Sequence, residues 1–122
     1  MSEEISSLPP QLREQILRLQ QLQRTLEVVV SQKTQLELES SEIQRALSEL
    51  EKMDDQAVVY KSIGSLLVKS DKKTVINELN DREDIVSTRV AVLSRQEARA
   101  RKKIAELQRR IQDQLKRGSI SL

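Results

Sequence analysis

The sequence predicts a mostly α chain: a long antiparallel coiled-coil hairpin with one β-hairpin between the arms, and that β-hairpin joins an intersubunit β-barrel. Three observations carry this. Two segments, Leu12 to Leu50 and Ile76 to Gln114, each show an apolar stripe at alternating three- and four-residue spacing for more than five heptads, a length that separates a coiled coil from an ordinary globular helix. The segment between them, Val58 to Val68, breaks that period and is rich in β-branched and aliphatic residues. Tyr60 is the only aromatic residue, and apolar residues make up 37% of the chain, below the ~45–50% usual in globular domains. Apolar surface confined to narrow stripes has to be buried against another helix.

Element by element, the chain reads as one structural unit. Residues 1–7 are polar and are expected to be disordered. Leu8-Pro9-Pro10-Gln11 opens a first helix over 8–53, because proline is tolerated in a first turn whose N–H groups have no intrahelical partner. Val28-Val29-Val30 is the one β-prone run in it, but the stripe continues in register on both sides, so the run is read as helical. Met53-Asp54-Asp55-Gln56 ends the arm. A β-hairpin is expected over 57–69, with Gly64-Ser65 as a two-residue loop; Gly at the first loop position fits a type II′ turn. Ser70 or Asp71 is the expected N-cap of a second helix over 71–117, and Gly118 terminates it, leaving a tail of 118–122.

Arms of about 45 residues span about 65–70 Å at 1.5 Å per residue, and their equal length implies antiparallel packing within one chain. With Leu50 opposite Ile76, Leu47 faces Leu79, Leu36 faces Val90, Leu26 faces Ala100, Leu22 faces Ile104 and Leu19 faces Leu107. Polar stripe positions then meet apolar ones: Lys33 faces Leu93, and Glu97 faces Val29. Polar residues in such positions fix register at a cost in stability.

Composition excludes most chemistry. The chain has no cysteine and no histidine, so disulfides, thiolate nucleophiles and the commonest metal ligands are missing. Its two glycines are accounted for by turns, leaving no phosphate loop. The expectation is a protein that is not an enzyme, with no catalytic, cofactor-binding or metal residue. No apolar run reaches a membrane span and no signal-peptide pattern opens the chain, which makes a cytoplasmic location the default. Charge is asymmetric: residues 1–55 hold eleven acids and six bases, residues 56–122 eight acids and fifteen bases. That asymmetry serves mutual attraction of the arms, or the basic stretch Arg95–Arg117 meets an acidic partner or nucleic acid.

Two surfaces remain for function. The hairpin residues Val58, Val59, Tyr60, Ile63, Leu66, Leu67 and Val68 place apolar side chains on both faces of two strands. A lone hairpin is marginal in water and its edges invite pairing. Closure of a barrel by hairpins from several chains is the expected solution, against packing across the top of its own coil. At the far ends of the arms, Leu8, Leu12, Ile16, Leu17 and Leu19 meet Ile111, Leu115, Ile120 and Leu122. This stripe is wider than a seam needs, so exposed apolar surface is expected there, as a binding surface or as frayed coil ends.

The residues Val59-Tyr60-Lys61-Ser62-Ile63-Gly64 leading to Leu66-Leu67-Val68-Lys69, set between long helices, resemble the β-type subunit of prefoldin, of the archaeal kind. Leu8-Pro9-Pro10-Gln11, Gln32-Lys33, Val75 with Glu78-Leu79, and Leu93-Ser94-Arg95-Gln96-Glu97 extend the likeness over residues 8–112. The resemblance implies a hetero-hexamer of two α-type and four β-type subunits, its hairpins forming a double β-barrel from which the coiled coils hang. It implies an ATP-independent holdase that captures unfolded protein clients at the coil tips and delivers them to a group II chaperonin. Leu8, Leu12, Ile16, Leu19, Ile111 and Leu115 are then the client-binding positions. The α-type carries a second hairpin; only one is expected here. A different class of function is a structural coiled-coil adaptor docking a folded partner or nucleic acid through the basic second arm. Nucleic acid is disfavoured, since no aromatic residue interrupts that arm to stack on bases.

Overall fold

A computed structural model of the chain describes residues 7–118. It contains helix α1 (Pro10–Glu51), strands β1 (Val58–Ile63) and β2 (Leu66–Asp71), and helix α2 (Lys72–Arg117). Residues 1–6 and 119–122 lie outside the described residues, and with them Ile120, Leu122 and most of the expected tail.

Local chemistry sets each boundary. α1 begins at Pro10, and the Arg13 N–H donates to the Pro9 carbonyl at 2.9 Å. Its last turn tightens: Lys52 N–H donates to the Glu49 carbonyl and Met53 N–H to that of Leu50, at 3.2 and 3.1 Å, the three-residue closure with which helix ends use orphan carbonyls. Asp54 then reverses the chain. Its carboxylate accepts the Gln56 N–H at 2.8 Å and its carbonyl the Ala57 N–H at 2.9 Å, an Asx turn. Between the strands Gly64 has φ +58°, the sign that the first loop position of a type I′ or II′ turn demands and that glycine adopts without strain.

Asp71 is both the last residue of β2 and the N-cap of α2. Its carboxylate accepts the Thr74 N–H at 2.8 Å and the Thr74 hydroxyl at 2.9 Å. These bonds hold its carboxyl below the usual aspartate value. β2 thus runs straight into α2 with no loop between them. At the other end Gly118 N–H donates to the Gln114 carbonyl at 2.9 Å, and Lys116 and Arg117 sit in the last turn, where cations meet the negative end of the helix dipole.

The chain divides into two compact units, one of residues up to Gln32 together with those from Leu93 on, the other of Lys33–Val92. In the terminal unit Leu12, Leu107 and Ile111 form a buried cluster, with Leu8, Ile16, Leu19, Leu22 and Leu115 packed against it. In the hairpin unit Ile43, Leu50 and Val86 are buried, Val86 completely. Along α2 the buried residues Val86, Leu93, Ala100 and Leu107 recur every seventh residue, the heptad signature of a coiled-coil seam.

Polar side chains also cross between the helices of the hairpin unit. Arg82 forks onto Glu39, Nε to Oε2 and Nη2 to Oε1, the second at 2.9 Å. Ser40 donates to Glu83 Oε1 at 2.7 Å. The expected layers set polar stripe residues against apolar ones; here two polar stripe residues meet each other. The physical reason is desolvation: a carboxylate half-buried in a seam needs a donor, and the hydroxyl supplies one. Compensation is incomplete, because Glu83 Oε2 is buried with no hydrogen-bond partner. Lys72 closes the base of α2 onto the end of α1, donating to the Met53 carbonyl at 2.9 Å and to Asp55 Oδ1 at 3.0 Å.

Two outcomes are expected. Ser40→Ala strips Glu83 of its one donor and lowers stability by about 1–3 kcal/mol. Adding Glu83→Leu restores or exceeds the starting value, because an apolar pair replaces an unsatisfied one. Urea unfolding at fixed protein concentration reads this, and a double variant no more stable than Ser40→Ala contradicts it. The second outcome concerns acid. Arg82's hydrogen bond holds the Glu39 carboxyl below its ordinary 4.5, so the folded chain releases that proton more readily than the unfolded one. The stabilisation is therefore complete above the ordinary value and is lost as pH falls through the folded one. The stability gap between the wild type and Glu39→Gln should be present at neutral pH and vanish in acid; a gap independent of pH would remove Glu39 ionisation as its source.

Candidate functional site

The hairpin is a two-stranded antiparallel sheet in the register Val58↔Asp71 through Ile63↔Leu66. Because strand side chains alternate faces, this register sorts the residues. Val59, Ile63, Leu66 and Val68 share one face with Lys61 and Ser70; Val58, Tyr60 and Leu67 share the other with Ser62, Lys69 and Asp71. The first face lies toward α2, where Lys61 Nζ donates to both Glu78 oxygens at 3.0 and 3.1 Å, and Val59 is half-buried on it. The second face has no such cover: Val58 is 51%, Tyr60 60% and Leu67 73% exposed. Ile63, Leu66 and Val68 are also exposed. Among the described residues no third strand joins the sheet, so each strand keeps one row of backbone donors and acceptors open. A single chain therefore leaves six hairpin apolar side chains in water, together with two free edges, the conditions under which strands recruit other strands.

The structure separates the six terminal positions singled out from the sequence. Leu12 and Ile111 are buried in the single chain, Leu12 to 2% exposure, and form the centre of the cluster. Their stripe positions face the opposite helix, and the seam covers them. Leu8, Ile16, Leu19 and Leu115 are half-buried around that centre and keep part of their apolar surface open. Leu17, on the outer side of α1, is exposed. An open groove of about 340 Å³ lined by Pro9, Gln11, Leu12, Gln114, Arg117 and Gly118 lies at the same end.

One feature was missed from the sequence: the pairing of Lys61 with Glu78, which distinguishes the faces of the hairpin; strand alternation would have put Lys61 with Val59, but only the structure brings α2 to that side. Within the basic stretch read from the sequence, Arg99, Lys103 and Arg110 are exposed in the terminal unit, and their four- and seven-residue spacing places them on one side of α2. Among the described residues no cluster of carboxylates could hold a metal ion, and no helix is long and apolar enough to cross a membrane.

Comparison with known proteins places this architecture. A family model described as prefoldin subunit matches residues 13–118. Prefoldin subunit beta of Methanosarcina acetivorans is 43% identical over 90% of this chain and 94% of its own. Prefoldin subunit beta of Archaeoglobus fulgidus is 40% identical over 91% and 96%. The crystal structure of the prefoldin beta subunit from Thermococcus strain KS-1 superposes with a TM-score of 0.80 at 38% identity, covering 88% of this chain and 94% of that one. The beta2 subunit from the same strain shares the fold alone, with a TM-score of 0.69 at 19% identity over 75% of this chain and 97% of that one. Two long helices enclosing a single β-hairpin, together with similarity of this extent to archaeal β subunits, mean that the chain belongs to the prefoldin family, among its β-type subunits of the archaeal kind.

Proposed function

We propose that the chain is one subunit of a cytoplasmic, ATP-independent holdase. It assembles through its hairpin with α-type subunits and further copies of itself, two α and four β, holds unfolded proteins on apolar surface at the coiled-coil ends, and hands them to a group II chaperonin. The observation that carries the assembly half is the uncovered hairpin, with Leu66 66% and Leu67 73% exposed on opposite faces. Burial of those faces by other hairpins supplies the missing cover, and strand-to-strand closure satisfies the open edges. The half-open ring of Leu8, Ile16, Leu19 and Leu115 around a buried centre supports the client half. A partly wet apolar rim binds weakly, and several such rims acting on one client retain it through effective concentration. Family membership supports the chaperone role as a whole.

The two halves are tested separately. Leu67 is exposed in the single chain, so Leu67→Asp costs the isolated fold little and burdens only an interface. A buried unpaired carboxylate is worth several kcal/mol. Mixed with an α-type partner, the variant should remain helical by circular dichroism and lose the hexamer mass in light scattering. Retention of that mass would take assembly away from the hairpin. Leu8→Ser with Leu115→Ser removes half-exposed rim side chains, each worth at most about 1.5–3 kcal/mol when fully covered. Assembly should survive, suppression of aggregation of a denatured client should fall, and added ATP should change neither protein. Undiminished suppression would move the client surface off the coil ends.

A further inference from the structure

Charge is divided unevenly between the two units. Residues 7–32 and 93–118 hold twelve bases and five acids, whereas Lys33–Val92 holds nine bases and twelve acids. The terminal excess is not absorbed by ion pairs. Arg101 meets Glu97 at 2.9 Å, but Arg18, Arg99, Lys103 and Arg110 have no ion-pair partner among the described residues. All four are exposed, and they gather along two adjoining grooves. One, of about 180 Å³, sets Arg18, Lys103 and Arg110 around Leu22 and Leu107. The other, of about 310 Å³, sets Arg99 and Lys103 around Leu22 and Val29. Leu22 and Lys103 belong to both, so the floor and the rim are continuous. Glu106 is the one acid in the lining.

Unpaired cations beside an apolar floor repel one another and hold a positive potential over the groove. A ligand relieves that repulsion by bringing carboxylates to the rim while its apolar side chains cover the open part of Leu22 and the aliphatic stems of the basic residues, Leu107 and Val29 being buried beneath. The geometry points to this groove pair as a docking track for extended polypeptide segments in which acidic residues flank apolar ones. This rests on the client-holding reading above and adds charge selection to it. Polypeptide fits better than nucleic acid. The lining has no aromatic side chain, and the one aromatic residue of the chain, Tyr60, lies in the hairpin unit; single strands need stacking platforms, and the phosphate backbone would leave the apolar floor wet.

The test uses the full-length chain in its native assembly and three fluorescently labelled peptides that share one apolar core, flanked by aspartates, by serines or by lysines. By anisotropy the aspartate-flanked peptide should bind about tenfold tighter than the lysine-flanked one, and the difference should shrink as salt rises from about 0.05 to 0.5 M. The variant R18Q/R99Q/K103Q/R110Q, which alters only exposed side chains, should lose that difference and bind the serine-flanked peptide as the wild type does. Equal wild-type affinities for the aspartate and lysine peptides, or a difference that persists in the variant, overturn charge selection while leaving client holding intact. Displacement of the aspartate peptide by a single-stranded oligonucleotide at comparable concentration also overturns it, because the track would then read anionic charge alone. Binding of none of the three peptides overturns the client-holding reading itself, and this inference with it.

Discussion

Everything in this chain depends on burying two narrow apolar stripes against each other. The helices carry no Phe or Trp with which a broad core could be filled. Among the described residues the buried apolar ones are the heptad line of α2, Val86, Leu93, Ala100 and Leu107, with Ile104 and Ile111 beside it, and the α1 positions Leu12, Val29, Ile43 and Leu50. A stripe this narrow can be covered by one partner helix and no more, and the outer sides of both arms stay in water, Leu17, Val28, Leu38, Ile85 and Val92 among them. The hairpin is left open as well, with Leu66 and Leu67 exposed on its two faces.

The polar residues follow from the same constraint. Where a carboxylate falls on the stripe, as Glu83 does, the seam holds it with the Ser40 hydroxyl and leaves one oxygen unsatisfied. Where carboxylate and guanidinium fall beside it, as Glu39 and Arg82 do, they fork across the helices and align them at small energetic gain, since the pair is largely open to water. These contacts favour one register over neighbouring ones more than they add stability. The hairpin is held by the same economy: Asp71 ends a strand and caps a helix in one residue, and Lys72 ties the base of α2 back to Met53 and Asp55.

The elements were legible in the sequence because each is set by local chemistry. A stripe at three- and four-residue spacing is a helix wherever it is packed, Gly64 calls for a positive φ, and Pro10 marks a first turn. The second strand extends to Asp71, beyond the Lys69 end read from the sequence, because β-propensity says nothing of Ser70 and Asp71 pairing with Val59 and Val58. The terminal surface was half legible. Composition showed that Leu8, Leu12, Ile16, Leu19, Ile111 and Leu115 are crowded together, but which of them are covered depends on the rotation of one helix against the other, and that rotation buries Leu12 and Ile111. The pairing of Ser40 with Glu83 was not legible, because it requires the axial stagger of two helices to within a turn.

The apolar surface of this chain is split in two: a seam that the chain buries itself, and a hairpin that the single chain leaves exposed, which the proposed assembly would bury. Amide hydrogen exchange, followed in the isolated chain and in its complex with an α-type partner, tests that division most directly. Residues 58–71 should exchange quickly in the isolated chain and become strongly protected in the complex, while the amides around Ile43, Val86 and Leu107 are protected in both. Equal protection of the hairpin in the two states would mean that the chain covers its own hairpin, and would contradict the division.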